Sequence, residues 1–495
     1  MDIMTKSWAQ TRINEDEIEK YLTRGKSFID EERMDAALCF TKIPDKRIIL
    51  DILQKSLDVE TLTLEETALL MRVTDSYLLE KMKETALAVK KKVYDNRIVT
   101  FAPLYLSNAC VNDCVYCGFR CSNIKTQRKT LTLDEVTEET KVLAGQIGHK
   151  RLIVVYGEHP DNDVHYMADT IRTIYDVRVK ARVGYGQIRR VNVNAAPLCV
   201  DDLKILGHAG IGTYQVFQET YHHPTYQSLH PKNTIKANYL WRLYAMHRAL
   251  EAGIDDVGIG ALFGLYDWRY EVLGLVAHNI ELEKKFGIGA HTISFPRLEP
   301  AENVPFTHQS KHKVSDEEFK KIMMVLRLAV PHAGMIITSR ETPELKRASI
   351  ELGITQTDAS TKIGLGAYSD GSMTQEGRRQ QFMLGDTRSL DEVIQEFTRL
   401  GHITSFCTAG YRCNRTGKCI MDLLRSGKEG KFCKLNAVLT FREWVDDFGS
   451  AKTQELAKGL LEKEINEIRN TAPNSYPHFM RYYERISRGE RDLYF

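Results

Sequence analysis

The segment "CVNDCVYCGFRC", running from Cys110 to Cys121, sets Cys110, Cys114 and Cys117 at CxxxCxxC spacing. Three thiolates on one short loop suit three irons of a cubane iron–sulfur cluster and leave the fourth iron open. The alternative is a structural zinc, whose tetrahedron needs a fourth donor that Cys121 would supply. A second group lies near the C-terminus, with Cys407, Cys413 and Cys419 in "SFCTAGYRCNRTGKC" and Cys433 a little further on. Four such thiols can bind iron or zinc, although their spacing fits no standard zinc ribbon. Ten cysteines in 495 residues are too sparse for a disulfide scaffold, and their clustering points to metal in a reducing compartment.

A loop of this kind needs a rigid scaffold. From residue 96, short β-branched or aromatic runs alternate with amphipathic helical stretches, the pattern of βα units around a parallel sheet. Strands are expected near 99–106, 151–157, 189–194, 213–219, 256–263, 289–296, 334–339 and 353–358. The capping boxes "TLEE" at Thr63, "TLDE" at Thr132, "SDEE" at Ser315 and "SLDE" at Ser389 mark helix starts. Eight repeats predict an α/β fold, a (βα)8 TIM-type barrel over residues 96–390, with its active site at the carboxyl ends of the strands. Residues 1–95 read as an N-terminal helical segment and 391–495 as an appended, mainly helical C-terminal domain. The cysteine loop then follows the first strand. Glu158 closes the second strand, and Glu219 ends the fourth on the same face as Gln215 and Phe217. Arg297 ends the sixth, and Ser339 and Arg340 end the seventh.

Composition excludes other classes. With 68 basic and 66 acidic residues the net charge is +2, so no field favours nucleic acid or an anionic membrane. No apolar run approaches a membrane span and the first residues carry no hydrophobic signal core, so the expected location is cytoplasmic.

With Tyr116 before its last cysteine and Gly118 and Phe119 after it, the loop resembles that of the radical S-adenosylmethionine (SAM) superfamily. The strings "YGEHP", "RRVNVNAAPL", "IGTYQVFQETYH", "GIDDVGIGALFGLYDWRYEVLG" and "HTISFPRLEPA", in that order, are similar to the HydG family. These are tyrosine-cleaving maturases of iron-only hydrogenases, related to the thiamine-pathway tyrosine lyases of the ThiH type. The resemblance implies a 4Fe–4S cluster on Cys110, Cys114 and Cys117, with SAM contacting Glu158, Glu219 and Phe119. A tyrosine carboxylate would rest on Arg340 with Ser339 beside it, Arg297 being the second candidate. The implied reaction breaks the tyrosine Cα–Cβ bond to give p-cresol and dehydroglycine. Its implied partners are an electron donor such as ferredoxin or flavodoxin and hydrogenase maturation proteins.

Residue by residue, plainer readings stand beside these: Glu158 as a helix N-terminal charge, Glu219 as half of a buried ion pair, each arginine as a salt bridge. For the whole chain the alternative is a non-catalytic iron–sulfur scaffold or carrier. Members of the family carry a C-terminal CxxC and, after 22 intervening residues, a third cysteine, which hold a second cluster with an extra iron. Cys407 and Cys433 match that pattern, but its middle position is Gly410. Cys413 and Cys419 are extra thiols, and His278, ahead of His291, is the expected ligand to an extra iron. Tyrosine cleavage is expected to survive, with carbon monoxide and cyanide formation impaired.

Overall fold

The β-branched runs form eight strands where the alternation predicts them: β1 Arg97–Ser107, β2 Arg151–Tyr156, β3 Arg190–Asn194, β4 Tyr214–Gln215, β5 Val257–Gly260, β6 Thr292–Ser294, β7 Gly334–Ile337 and β8 Gln356–Asp358. This computed structural model describes residues 8–39, 45–371, 375–413, 415–425 and 429–495. Neighbouring strands pair in parallel in chain order. β8 returns to β1 through Val99↔Gln356, Thr100↔Thr357 and Phe101↔Asp358, which closes the barrel. β4 is shorter than the expected 213–219 run; beyond it Glu219, at a left-handed φ of 71°, rejoins the sheet through a bridge to Ala261.

The helices between strands begin as their sequences indicate. Capping boxes form at Thr63, Thr132, Ser315 and Ser389, each side chain accepting from the backbone three residues on, and each contributes about 1 kcal/mol. N-terminal residues such as Tyr21, Met34, Leu64 and Met71 share one core with the barrel helices Trp268–Phe286 and Asp316–Ala329. No described helix is long and apolar enough to cross a membrane.

Two features escape the sequence reading: an antiparallel hairpin of Arg178–Lys180 with Tyr185–Gln187, and a ninth strand added to the barrel sheet. After helix Leu390–Arg399 the chain forms β9, Ile403–Ser405, which pairs in parallel with Arg97, Ile98 and Val99 at the start of β1. Helices Gly417–Arg425, Glu429–Asp447, Ala451–Thr471 and Tyr476–Ser487 follow. Their core, with Phe441, Trp444 and Phe479, packs on Ile403 and Phe406. Fully buried Glu443 receives both Lys150 and Arg189 from the barrel, at 3.2 and 2.8 Å, which ties this helical layer to the amino ends of β2 and β3.

Candidate active site

Beyond Ser107 the chain turns across the carboxyl end of the barrel. The Val111 N–H donates to the Glu158 carbonyl at 2.8 Å, Val115 to Leu229 at 3.2 Å and Cys121 to Asn112 at 2.8 Å. Gly157 permits this close passage, since a Cβ there would stand 2.1 Å from the Ala109 carbonyl oxygen. The Tyr116 hydroxyl pairs with His230 Nε2 at 2.8 Å and fixes the ring beside Cys117. Cys110, Cys114 and Cys117 thus line one cavity of about 240 Å³. Burial pushes the Cys110 thiol up to about 11 and Cys114 up to about 12. Asn112 Nδ2 lies 3.8 Å from Cys110 Sγ and Gln381 Nε2 3.4 Å from Cys117 Sγ, donors suited to an anionic sulfur. Cys121, the fourth donor of the zinc alternative, is exposed and does not line the cavity.

The predicted wall residues divide into those that face this cavity with capacity to spare and those already engaged. Glu158 is 8 % exposed; its Oε2 accepts from Asn112 Nδ2 at 2.5 Å, while Oε1 has no partner among the described residues. Burial raises its pKa. An orphaned carboxylate oxygen beside three thiols fits a cofactor that brings an ammonium group. Glu219 also lines the cavity and receives Lys236 Nζ at 2.7 Å and Arg242 Nη2 at 3.0 Å, the buried ion pair of the plainer reading. Burial acts to raise its pKa, but the Lys236 and Arg242 charges outweigh it and bring the carboxyl below its ordinary value. Phe119 is buried edge-on against Tyr105, with ring centres 5.9 Å apart.

Of the two candidate arginines only one faces the cavity unpaired. The Arg340 guanidinium stacks over Phe382 at 3.3 Å, donates weakly to the Arg297 carbonyl at 3.4 Å and forms no ion pair among the described residues. Arg297 is engaged instead: it forks onto buried Glu341 and also reaches Asp316 at 2.8 Å and the Val314 carbonyl at 3.0 Å. Its second-candidate place as a carboxylate clamp is therefore corrected, since its donors already meet carboxylates. The Ser339 hydroxyl contacts Thr361 Oγ1 at 3.1 Å and Lys346 Nζ at 3.2 Å while lining the cavity. Sequence reasoning missed Asn112, Gln381, Lys236 and Arg242, polar residues with no motif of their own. It also missed Glu299, a cavity carboxyl that burial pushes up to about 7.

The C-terminal cysteines lie at the other end of the barrel. β9 pairs with the start of β1, whereas the cysteine loop follows its end, and from Val99 to Ser107 the strand covers roughly 26 Å at about 3.3 Å per residue. Cys407 and Cys433 line a cavity of about 60 Å³ with Arg97, Arg190, Asp256 and His291. Arg190 Nη1 donates to the Cys407 carbonyl at 3.0 Å and approaches its Sγ at 3.8 Å. His291 Nδ1 stands 3.5 Å from Asp256 Oδ2.

The expectation for His278 is corrected. Its helix, Trp268–Phe286, turns it toward the N-terminal segment, where Nδ1 meets the Tyr221 hydroxyl at 2.9 Å and the ring packs on Phe28. His291, immediately before β6, occupies the cavity instead. Nor do the extra thiols join: Cys413 Sγ donates to the Phe495 carbonyl at 3.3 Å, and Cys419 is exposed. Gly410 lines the cavity beside Cys407 and Cys433. The residues present therefore do not fit a three-thiolate group. Among the described residues no three His, Cys, Asp or Glu side chains converge on a single ion at either end.

A thiol-lined cavity over the carboxyl ends of a parallel barrel is how radical SAM enzymes are built, and residues 104–273 match the radical SAM superfamily. Residues 294–403 match the biotin and thiamin synthesis associated domain. Within that class the chain belongs to the HydG family. It superposes on the crystal structure of HydG, a maturase of the FeFe-hydrogenase, with a TM-score of 0.89 and 43 % identity, across 94 % of this chain and 100 % of that one. For HydG from Carboxydothermus hydrogenoformans the values are 0.75 and 36 %, across 96 % and 100 %. The 2-iminoacetate synthase of Escherichia coli (strain K12) is 29 % identical over 360 residues, 70 % of this chain and 88 % of that protein. The protein is a radical SAM carbon–carbon lyase of the 2-iminoacetate synthase type, and its cofactors are a 4Fe–4S cluster and SAM.

Proposed function

We propose that this enzyme cleaves the Cα–Cβ bond of L-tyrosine, releasing p-cresol and dehydroglycine (2-iminoacetate). Arg340 carries the reading: a guanidinium that faces the thiol-lined cavity without an ion-pair partner among the described residues. Such a group suits a planar oxyanion, which the α-carboxylate of an amino acid supplies. Cys110, Cys114 and Cys117 would hold the cluster, which together with SAM would supply the radical chemistry that removes a hydrogen from the substrate amino group.

The chain's own residues hold and orient. Arg340 fixes the tyrosine carboxylate and thereby sets the amine in place, which matters because misplacement by an ångström costs orders of magnitude in rate. Glu158 Oε1 would accept from the SAM ammonium, and Glu219, paired with Lys236 and Arg242, would receive the ribose hydroxyls. Phe119, Tyr105 and Phe382 line the cavity and exclude water. At the lower cavity the missing thiolate at Gly410 leaves carbon monoxide and cyanide formation impaired or absent, so dehydroglycine or its hydrolysis product glyoxylate leaves the enzyme.

The test is an anaerobic assay of reconstituted protein with SAM, tyrosine and a reductant. p-Cresol and 5′-deoxyadenosine should form together with little carbon monoxide or cyanide. Cleavage of tryptophan with tyrosine ignored would overturn the substrate. Stoichiometric carbon monoxide would overturn the reading of Gly410.

A further inference from the structure

Reductive cleavage of SAM consumes one electron, which must reach Cys110, Cys114 and Cys117 from outside the chain. The segment directly after Cys117, "GFRCSNIKTQRKT" at 118–130, carries Arg120, Lys125, Arg128 and Lys129 and no acidic residue, an excess larger than the +2 of the whole chain. It is firmly held. Buried Asn123 and Thr126 donate to the Gly118 carbonyl at 2.9 and 2.8 Å, and Asn303 Nδ2 donates to Asn123 Oδ1 at 2.9 Å. Arg128 donates to the carbonyls of Asn108 and Phe119 at 2.8 and 2.7 Å, and its charge interacts with Cys110, Cys117 and Cys121.

Between those anchors Ile124 stands 92 % exposed beside exposed Lys125, the most exposed large apolar side chain among the described residues. Arg378 adjoins them: the Gln127 N–H donates to its carbonyl at 3.0 Å, and its side chain is 72 % exposed. The carboxylates nearby offset part of this surface, pairing with Lys129 and Arg378 and leaving Arg120, Lys125 and Arg128 without an ion pair among the described residues. Asp113 bonds Ser122 at 2.6 Å, Glu135 pairs with Lys129 at 2.6 Å, and Glu302 is 3.7 Å from Arg378. Arg120 and Arg128 donate to carbonyls alone, so their charges remain. A single exposed isoleucine signifies little. One at the tip of an anchored basic segment that leads directly out of the cluster cysteines is placed for a partner.

We propose that residues 118–130 with Arg378 form the docking surface for an acidic one-electron carrier protein of the flavodoxin or ferredoxin type. The inference rests on the radical SAM reading, which requires the electron. Ile124 supplies the apolar contact and the surrounding cations steer an acidic partner, raising the association rate in a salt-dependent way. The reduced carrier gives up one electron to the cluster on Cys110, Cys114 and Cys117. No bond is made or broken in the transfer.

The test uses full-length protein and a purified acidic flavodoxin. K125E/R378E and, separately, Ile124→Glu should weaken flavodoxin binding at low salt about tenfold, with the difference shrinking at high salt. They should lower flavodoxin-driven SAM cleavage in parallel, while dithionite-driven cleavage stays within about twofold of the parent. Reversal at Arg485, on the C-terminal helix Tyr476–Ser487, should change nothing. Binding and flavodoxin-driven rates within about twofold of the parent in both variants would overturn the proposal. If dithionite drives no SAM cleavage in the parent, the proposed activity fails, and the binding comparison still decides the surface.

Discussion

Replacing Arg340 by alanine should uncouple the enzyme from its substrate without harming its fold. Its guanidinium makes one weak carbonyl contact and a stack on Phe382, so little native structure depends on its charge. A substrate carboxylate that loses a charge-assisted fork loses about 3 kcal/mol, a rise in KM of roughly 100-fold. Because the amine is then misplaced, 5′-deoxyadenosine should form in excess over p-cresol. Lysine, which keeps the charge but not the fork, should recover about half of that free energy. Arg297→Ala is the contrasting variant: it leaves Glu341, 2 % exposed, without its partner, a loss of roughly 3 kcal/mol of stability, with KM for tyrosine nearly unchanged. The assay is tyrosine-dependent p-cresol release with parallel 5′-deoxyadenosine counting and thermal melts. An Arg340→Ala KM within about threefold of the parent, or an Arg297→Ala KM that rises as far, would refute the assignment of the clamp.

Cys114→Ala should bind less iron on reconstitution and form no 5′-deoxyadenosine, since one corner of the cluster loses its thiolate; undiminished output would remove the radical SAM chemistry from this cavity. Glu271 gives a pH prediction: burial, partly offset by hydrogen bonds from Thr220 and the Tyr221 N–H, pushes its carboxyl up to about 8, against about 4.3 unfolded. The folded state holds the proton longer, so its contribution is full below about pH 4 and declines as pH rises through 8. Glu271→Gln, neutral throughout, should flatten the fall in Tm between pH 5 and 8, and equal slopes in the two proteins would contradict this. Gly410→Cys adds a Cβ that meets, among the described residues, only the Arg415 carbonyl oxygen, at 3.4 Å, so it should fold normally, raise the iron bound per chain and bring carbon monoxide into the products; an unchanged iron count would show that the missing thiolate is not what limits the amino-end site.

The barrel was legible because its signals are local and repeated. Capping boxes at Thr63, Thr132, Ser315 and Ser389 and the eight alternating runs each specify their own element. The cysteine loop was legible because all three thiols fall within eight residues after one strand. What stayed hidden depends on contacts between distant segments. β9 is three residues long, too short to show a period, yet its pairing with Arg97, Ile98 and Val99 decides that Cys407 faces the amino end of the barrel. The choice between Arg340 and Arg297 turns on Glu341, adjacent to the first in sequence but paired with the second across the barrel rim. His278 and His291 differ likewise, one carried outward by its helix and the other set at a strand start.

The central claim is that the tyrosine amino group gives up the hydrogen that starts cleavage. Amino hydrogens exchange with solvent and carbon-bound hydrogens do not, so the reaction run in D2O with unlabelled tyrosine separates the sources. 5′-Deoxyadenosine formed along with p-cresol should carry one deuterium. 5′-Deoxyadenosine that remains unlabelled in D2O, but takes up deuterium from tyrosine labelled on carbon, would contradict the proposed positioning of the amine.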